Sequence, residues 1–517
     1  MSAHEVHDGS RLDADLTLSA DVVIVGSGAG GGYAAEVLAT SGLRVVLVEA
    51  GGYHTAETFS QNESKAYPML YQEAGAQRTK DKGVIVFQGR SVGGSTTVNW
   101  TTSFRTPDNT LAYWQDVHGV SGASAEQMAP HFEAVEKRLN IALWEDFEPN
   151  PNNAALKRGC EALGFHTGII KRNVKYCGNT GLCGLGCPLD AKQSMLNTTI
   201  PGMLEAGGAL VHNAEAARIE HDGARARAVL CRALDARGNP TGRNIRIEAG
   251  HVVVSCGSIR SPALMMRSDI PDPSGMLGKR TFLHPVSASM AIMDEITEPY
   301  YGAPQSAYSD EFLWPADDRV GFKLETTPLQ PVFAASVFDK TMGQASAAFM
   351  KDLPRMQSTL GLLRDGFHDG AAGGTVELTG ERGQTVDYPI TDYLREGLVR
   401  ALETAIEVQF AAGATAVYPW HIATRRLESM DAARAWLTQA DMGVMNLMVG
   451  SAHVMGGCIM GDDPARSVVN SEGAHHVIEN LSVFDGSVFP TSIGANPQES
   501  IYAMTLKNAA ALAAQLS

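Results

Sequence analysis

The sequence predicts an α/β fold in which helices pack on a parallel sheet. Three observations predict it. Residues 22–25 form a short β-branched run typical of a buried parallel strand. A glycine-rich turn and a helical pattern follow that run directly, and another apolar run lies far along the chain at 250–256. Both apolar runs have the pattern of buried strands.

The glycines of the turn are Gly26, Gly28 and Gly31, and residues 33–40 have the pattern of the helix after it. The first glycine permits a tight turn, and the second lets the backbone approach a pyrophosphate. The third lets the helix pack closely on the strand, with its N–H groups facing the phosphates. This order of strand, turn and helix predicts a Rossmann-like dinucleotide site.

A second predicted strand covers residues 44–48, and Glu49 ends it 23 positions after Gly26. A carboxylate at this offset is expected to bind ribose hydroxyls, with Ala50 beside it. Nicotinamide and flavin dinucleotides carry the same adenosine diphosphate part. The turn and the carboxylate therefore leave both cofactors open.

Length and charge narrow the class of protein. A chain of 517 residues is too long for one compact core, so two packed domains are expected. With 57 acidic and 41 basic residues the net charge is −16, which disfavours nucleic acid or an anionic membrane as a main partner. The polar stretch 1–20 is unlike a secretory signal, and no apolar run has the length of a transmembrane helix. We expect a cytoplasmic protein, with peripheral membrane contact left open.

Four later segments carry a family resemblance. In order and spacing, residues 89–100, 255–262, 451–457 and 484–497 resemble the glucose-methanol-choline (GMC) family of flavin-dependent oxidoreductases. The resemblance runs from about residue 20 to the end and implies FAD as the cofactor. Within the family, the chain looks most like the branch of long-chain fatty alcohol oxidases and bacterial alcohol dehydrogenases.

The resemblance also implies an interleaved domain layout. The FAD-binding domain is expected from 15–105, 200–285 and 445–517. The substrate-binding or cap domain, an α+β domain built on a sheet with helices, is expected from 106–199 and 286–444. A helical pattern over residues 390–410 fits the second domain.

Further cofactor contacts follow from the resemblance rather than from spacing. They are expected at Arg90, Gly93, Gly94, Asn99, Gly257, Asp485, Asn496 and Pro497. Members with covalent flavin often carry histidine where this chain has Val98, so non-covalent FAD is expected.

The family's catalytic pair matches His453 and Asn496. Oxidation of an alcohol requires a base for the hydroxyl proton and a partner for the alkoxide oxygen. Histidine, with an ordinary pKa of about 6.5, can accept that proton at neutral pH. Asn496 and Pro497 are also the residue types that begin a helix, and we expect one over 498–514 with Asn496 as its cap.

Three other histidines are expected to have no catalytic role. His284 resembles a recurrent family position and is expected to be structural. His475 and His476 lie in a polar stretch with turn residues and are expected to be solvated.

Three cysteines, Cys177, Cys183 and Cys187, lie close together in a glycine-rich stretch, and the third precedes a proline. Related sugar dehydrogenases of the family carry a three-iron cluster on a similar run, so iron–sulfur ligation stays an alternative to structural thiols. A disulfide is disfavoured in a reducing compartment.

The best interpretation is an FAD-dependent alcohol oxidase or dehydrogenase that converts a primary, apolar alcohol to the aldehyde. Electrons would pass to O₂ or another acceptor. Two alternatives remain: a sugar or polyol dehydrogenase passing electrons through an iron–sulfur cluster, and a non-redox lyase on the same FAD fold. Plain core or an apolar substrate pocket could explain one set of side chains: Met342, Phe349, Met350, Met356, Leu360 and Leu363.

Overall fold

The computed structural model describes residues 4–517. The α/β fold predicted from the sequence is confirmed. The α-helices of the described residues are Ala29–Thr40, Glu63–Leu70, Asp108–His118, Ala125–Arg138, Pro151–Ala162, Thr199–Glu205, Arg260–Arg267, Pro331–Phe333, Gln344–Asp352, Asp392–Ala411, Met430–Gln439 and Gln498–Leu516.

The larger sheet has eight strands drawn from distant parts of the chain. In spatial order they are Glu5–Asp8, Ala209–His212, Val45–Val48, Leu16–Val25, Pro240–Val254, Ala226–Leu234 and Ala214–His221, with Leu481–Val483 added beside Pro240–Val254. The first five run parallel to one another and the next two are antiparallel.

The predicted first strand is the end of Leu16–Val25, where Val22 to Val25 are at most 3% exposed. Its neighbours in register are Val45–Val48 on one side and Val252 to Val254 on the other. The predicted run 250–256 is the end of the longer strand Pro240–Val254, which Leu481–Val483 joins in parallel. Burial on both faces explains why these segments are continuous apolar runs.

A second sheet has six strands. Its order is Phe322–Glu325, Met356–Leu363, Val286–Met293, Val449–Ser451 and Val84–Val86, with Ala414–Pro419 beside Val286–Met293. Helix Asp392–Ala411 packs against this sheet with a buried apolar face and is close to the predicted 390–410.

Three smaller sheets complete the fold of the described residues. One contains Gly383–Asp387, Gly374–Thr379, Lys279–Phe282 and Met455–Gly456; another contains Thr102–Ser103, Lys171–Asn173 and Ile141–Leu143; and Ala307–Tyr308 pairs with Gly168–Ile169.

The last helix, Gln498–Leu516, packs against Ala29–Thr40. Its predicted cap is wrong: the N-cap residue is Pro497, no side chain caps it, and the side chain of Asn496 bonds elsewhere. None of the helices in residues 4–517 combines the length and apolar character that crossing a membrane requires.

Candidate active site

A cavity of about 620 Å³ lies between the two large sheets, a volume within the range of about 300–1,000 Å³ usual for ligand sites. Most residues singled out from the sequence line it. They are Gly26, Gly28, Glu49, Ala50, Arg90, Gly94, Asn99, Gly257, His453, Asp485, Asn496 and Pro497.

The glycine turn is packed so tightly that side chains are excluded. A Cβ on Gly30 would lie 1.7 Å from the carbonyl oxygen of Phe484, and one on Gly31 would lie 1.8 Å from that of Gly26. Gly31 therefore lies behind the cavity, where the helix meets the strand. Helix Ala29–Thr40 has no side-chain cap, so its first N–H groups are free to bind an anion from the cavity.

Glu49 is held rigidly at the end of its strand and is 7% exposed. Its Oε2 accepts hydrogen bonds from Ser27 N at 3.1 Å and Ser27 Oγ at 2.7 Å, and its Oε1 accepts one from Gly51 N at 2.8 Å. A dinucleotide needs N–H donors for its pyrophosphate and a carboxylate acceptor for its ribose hydroxyls. The uncapped start of the helix supplies the donors, and Glu49 beside it supplies the acceptor. The residues present therefore fit the adenosine diphosphate part of such a cofactor.

The glycine-rich segment 89–100 is tied to this turn. Gly93 lies behind the cavity wall with φ +90°, a left-handed conformation suited to glycine, and its N donates to Ser27 Oγ at 2.9 Å. The guanidinium of Arg90 donates to the carbonyl oxygen of Ala50 at 3.1 Å, and Asn99 Nδ2 donates to Gln498 Oε1 at 2.6 Å.

Asp485 lines the cavity directly after Phe484, whose carbonyl oxygen packs against the glycine turn at Gly30. Its Oδ2 accepts hydrogen bonds from Gly257 N at 2.8 Å and Ser261 Oγ at 2.5 Å, and its Oδ1 accepts one from Ser487 N at 2.8 Å. Burial raises the pKa of this carboxyl. Asp485 thus anchors two loops that the sequence resemblance assigned to one cofactor.

His453 and Asn496 lie together where the cavity meets the six-stranded sheet. Strand Val449–Ser451 ends just before His453, which is half-buried. The Nε2 atom of His453 is 3.4 Å from the Nδ2 atom of Asn496. Burial, with a smaller effect from the positive charge of Lys323, lowers the pKa of His453 to about 4. The imidazole is therefore neutral at pH 7 and able to accept a proton.

His284, expected to be structural, directly contacts His453. The two Nδ1 atoms lie 2.9 Å apart, and burial lowers the pKa of His284 well below its ordinary value. His284 has φ +48°, unusual for a non-glycine residue, and Asp365 accepts hydrogen bonds from the backbone N of Leu283 and His284, each at 3.1 Å.

Sequence reasoning missed a buried ion pair beside the site. Lys323 Nζ lies 3.9 Å from Glu325 Oε1, and both side chains are at most 3% exposed. Glu325 Oε2 accepts a hydrogen bond from Asn496 Nδ2 at 3.1 Å. Two charges on the same face of an otherwise apolar strand, Phe322–Glu325, were the signal that could have indicated it.

The far end of the cavity is apolar. Its walls there include Tyr67, Phe87, Phe333, Val337, Phe338, Leu360, Leu362 and Trp420. Of the apolar set named from the sequence, Leu360 lines the cavity. Phe349, Met356 and Leu363 are core residues, and Met342 is 86% exposed, so a pocket interpretation is wrong for those four.

The polar-loop histidines differ from expectation. His475 is 7% exposed, its Nδ1 accepts hydrogen bonds from Val477 N and Ile478 N, and burial lowers its pKa to about 4. The prediction that it is solvated is therefore wrong. His476 is half-buried and contacts Ser467 Oγ at 2.9 Å.

The cysteine stretch packs behind the cavity. Cys183 Sγ lies 3.5 Å from the guanidinium of Arg172, and Lys192 Nζ donates to the carbonyl oxygens of Cys183, Thr97 and Asn99 at 2.7–2.8 Å. Within residues 4–517, no group of three or more His, Cys, Asp or Glu side chains is arranged to hold a metal ion. Cys177, Cys183 and Cys187 line one small pocket, separate from the main cavity.

Two family models and several known proteins match this chain. Models of the GMC oxidoreductase family match residues 67–286 and 371–505. Long-chain-alcohol oxidase FAO4A of Arabidopsis thaliana is 28% identical, over 96% of this chain and 68% of that protein. The uncharacterized GMC-type oxidoreductase Rv0492c of Mycobacterium tuberculosis (strain ATCC 25618 / H37Rv) is 30% identical, over 98% of this chain and 80% of that protein.

Solved structures show the same fold. Pyridoxine 4-oxidase from Mesorbium loti superposes with a TM-score of 0.71 at 18% identity, covering 95% of this chain and 98% of that one. Formate oxidase superposes with a TM-score of 0.72 at 16% identity, covering 97% and 99%.

Proposed function

Because this chain belongs to the GMC oxidoreductase family, whose members bind FAD, we propose that it oxidises a primary, apolar alcohol to the aldehyde. The observation that carries the proposal is the position of His453 and Asn496. They lie where the dinucleotide end of the cavity meets its apolar end. The likeness to long-chain-alcohol oxidases supports an alcohol as the substrate.

Cofactor binding is assigned to the residues around the glycine turn. The N-terminus of helix Ala29–Thr40 would hold the pyrophosphate, Glu49 the ribose and Asp485 the ribityl chain. The N-terminus of helix Gln498–Leu516 also faces the cavity, through Pro497, and its partial positive charge favours an anionic ring system. When bound, FAD supplies the acceptor for the hydride that leaves the α-carbon of the alcohol.

Two side chains of the protein accept the hydroxyl proton and bind the substrate oxygen. Neutral His453 takes the hydroxyl proton through Nε2, and an N–H of Asn496 donates to the substrate oxygen as its negative charge develops. The apolar wall excludes water from this step and favours an alkyl chain over a sugar or polyol.

Non-covalent attachment of FAD is part of the proposal. Val98 is 5% exposed and lines the cavity at the position where covalent members often carry histidine. An isopropyl side chain offers no nucleophile to the flavin ring.

The test is anaerobic mixing of the flavin-loaded protein with unbranched primary alcohols of increasing length, polyols and aromatic alcohols. Loss of flavin absorbance with the longer unbranched alcohols is expected. Admission of air then separates an oxidase, whose flavin returns rapidly, from a dehydrogenase, whose flavin stays reduced until an acceptor is added. Bleaching by polyols and by no apolar alcohol would overturn the substrate class, and bleaching by none of the alcohols would overturn the reaction.

A further inference from the structure

Glu325 is a carboxylate in the middle of the protein that the reaction described above does not use. It ends strand Phe322–Glu325, is 0% exposed, and pairs in register with Leu360 of the cavity wall. Burial raises the pKa of Glu325 and lowers the pKa of its neighbour Lys323 to about 8. A buried ion pair contributes little to stability by itself, so its polar contacts indicate its role.

The hydrogen bonds around Glu325 have a fixed direction. Its Oε2 accepts from Asn496 Nδ2 at 3.1 Å and from Gln305 Nε2 at 2.9 Å. Gln305 is oriented independently, because the same Nε2 donates to the carbonyl oxygen of Thr326 at 2.9 Å, while its Oε1 accepts from Thr102 Oγ1 at 2.5 Å. A carboxylate oxygen that meets two amides accepts from both, so the NH₂ group of Asn496, and not its carbonyl, must face Glu325.

This orientation determines where the proton of His453 resides. The same Nδ2 of Asn496 lies 3.4 Å from His453 Nε2, so that nitrogen faces an N–H and must carry a lone pair. A neutral imidazole then has its proton on Nδ1, which lies 2.9 Å from the Nδ1 of His284 and donates to it. If the amide were turned over, its oxygen would face Nε2, which would then hold the proton and could not act as base.

We propose that Glu325 is a positioning residue: by accepting from Asn496 it fixes the orientation of that amide, and through the amide it keeps Nε2 of His453 free of a proton. The inference rests on the proposed function, since it explains how the base of that reaction is held ready. Asn496 Oδ1, buried without a partner, is the atom that a turned amide would bring to His453.

Two double variants separate the effect of the hydrogen-bond acceptor at position 325 from the effect of its negative charge. In K323M/E325Q the ion pair is neutral, but the amide oxygen of the glutamine can still accept from Asn496. K323M/E325L has the same charge and a similar volume without an acceptor, a replacement that buried ion pairs often tolerate. The two variants therefore differ in one property, the acceptor at position 325 that faces Asn496 and Gln305.

The first measurement reads the proton directly and does not depend on turnover. Long-range ¹H–¹⁵N spectra of histidine-labelled, flavin-loaded protein report which ring nitrogen of His453 is protonated, with the signal assigned by its loss in His453→Gln. We expect the Nδ1–H form in the wild type and in K323M/E325Q, and an Nε2–H population in K323M/E325L. A wild-type His453 protonated at Nε2 overturns the proposal even if the leucine variant does not fold.

The second measurement is anaerobic flavin reduction at saturating alcohol. K323M/E325L should be slower than K323M/E325Q by about 10²-fold, the size of losing one oriented donor to an oxyanion. The difference should vanish when Asn496→Ala is added to both, because Glu325 acts through that amide. Glu136→Gln, at a partly buried carboxylate paired with Arg105 outside the cavity, is the control for a general loss of stability.

Failure of the proposed function gives a different result. If no alcohol reduces the wild-type flavin, the reaction is wrong, yet the spectra still test Glu325. If alcohols do reduce it and the two double variants react at equal rates with the same tautomer, the positioning role is wrong and the reaction stands.

Discussion

The imidazole rings of His284 and His453 are joined through their Nδ1 atoms, 2.9 Å apart, and burial is the main cause that lowers the pKa of both. Two cationic rings could not occupy this position, because each would present a proton to the other. The contact therefore favours a pair of neutral histidines with a single shared proton between the Nδ1 atoms. The Nε2 of His453 is left to face the cavity.

Replacement of His453 tests the base. His453→Ala should keep FAD bound, because the pyrophosphate and ribose residues lie elsewhere, and should slow anaerobic flavin reduction by about 10²–10⁴-fold. Stopped-flow absorbance at saturating alcohol measures this step alone. Reduction at the wild-type rate would remove His453 from the reaction. Asn496→Ala should also slow reduction, and the two losses should not add fully, since both groups act on one oxygen.

The pH dependence of the same step follows from the lowered pKa of His453. The base must be neutral, and its pKa is lowered to about 4, so it is protonated only below that pH. The rate of flavin reduction should be flat from pH 8 down to about pH 5 and fall about tenfold per unit below pH 4. Brief pH-jump mixing avoids acid unfolding during the measurement. A decline that begins near the ordinary histidine pKa of about 6.5 would contradict the desolvated environment.

Attachment of the flavin can be read without turnover. Acid precipitation of the holoprotein should release the yellow colour into the supernatant, because Val98 supplies no covalent bond. Mass spectrometry of the pellet after proteolysis checks for modified peptides. Flavin retained on a peptide would show covalent attachment through another residue.

Gly31→Ala tests the packing behind the cofactor. The added Cβ would lie 1.8 Å from the carbonyl oxygen of Gly26, so strand and helix must separate. We expect a loss of about 1–3 kcal/mol in the free energy of unfolding and a lower flavin-to-protein ratio after gel filtration. Gly207→Ala is the control: it has φ +89° and no atom within 4 Å of the new Cβ, so it should cost stability through strain and keep the flavin.

Iron analysis decides the cysteine alternative. Within residues 4–517 no three His, Cys, Asp or Glu side chains are placed to hold a single metal ion. We expect anaerobically purified protein to contain well below the three irons per flavin that a three-iron cluster at Cys177, Cys183 and Cys187 would need. Replacing Cys183 by serine should leave flavin reduction close to the wild-type rate. About three irons per flavin, with broad absorbance beyond the flavin bands, would restore the cluster interpretation.

The sequence alone determined the parts of the fold in which structure follows from neighbouring residues. Gly26, Gly28 and Gly31 specify their turn because the steric demands of strand, turn and helix are local, and the apolar runs at 22–25 and 250–256 mark strands buried on both faces. The prediction of a helix over 390–410 succeeded for the same reason, since its apolar period lies within one segment.

Tertiary structure decided what lies around His453. His284 is 169 positions away from it and Glu325 is 171 positions away from Asn496, so no local pattern relates them. The six-stranded sheet brings them together by pairing Val286 with Gly450 and by placing the end of Phe322–Glu325 beside the cavity wall. The sequence predicts the side chain of Asn496 as a helix cap, but in the fold it donates a hydrogen bond to Glu325 of the six-stranded sheet. Proton positions depend on such long-range contacts, because the direction of a hydrogen bond is fixed by both partners.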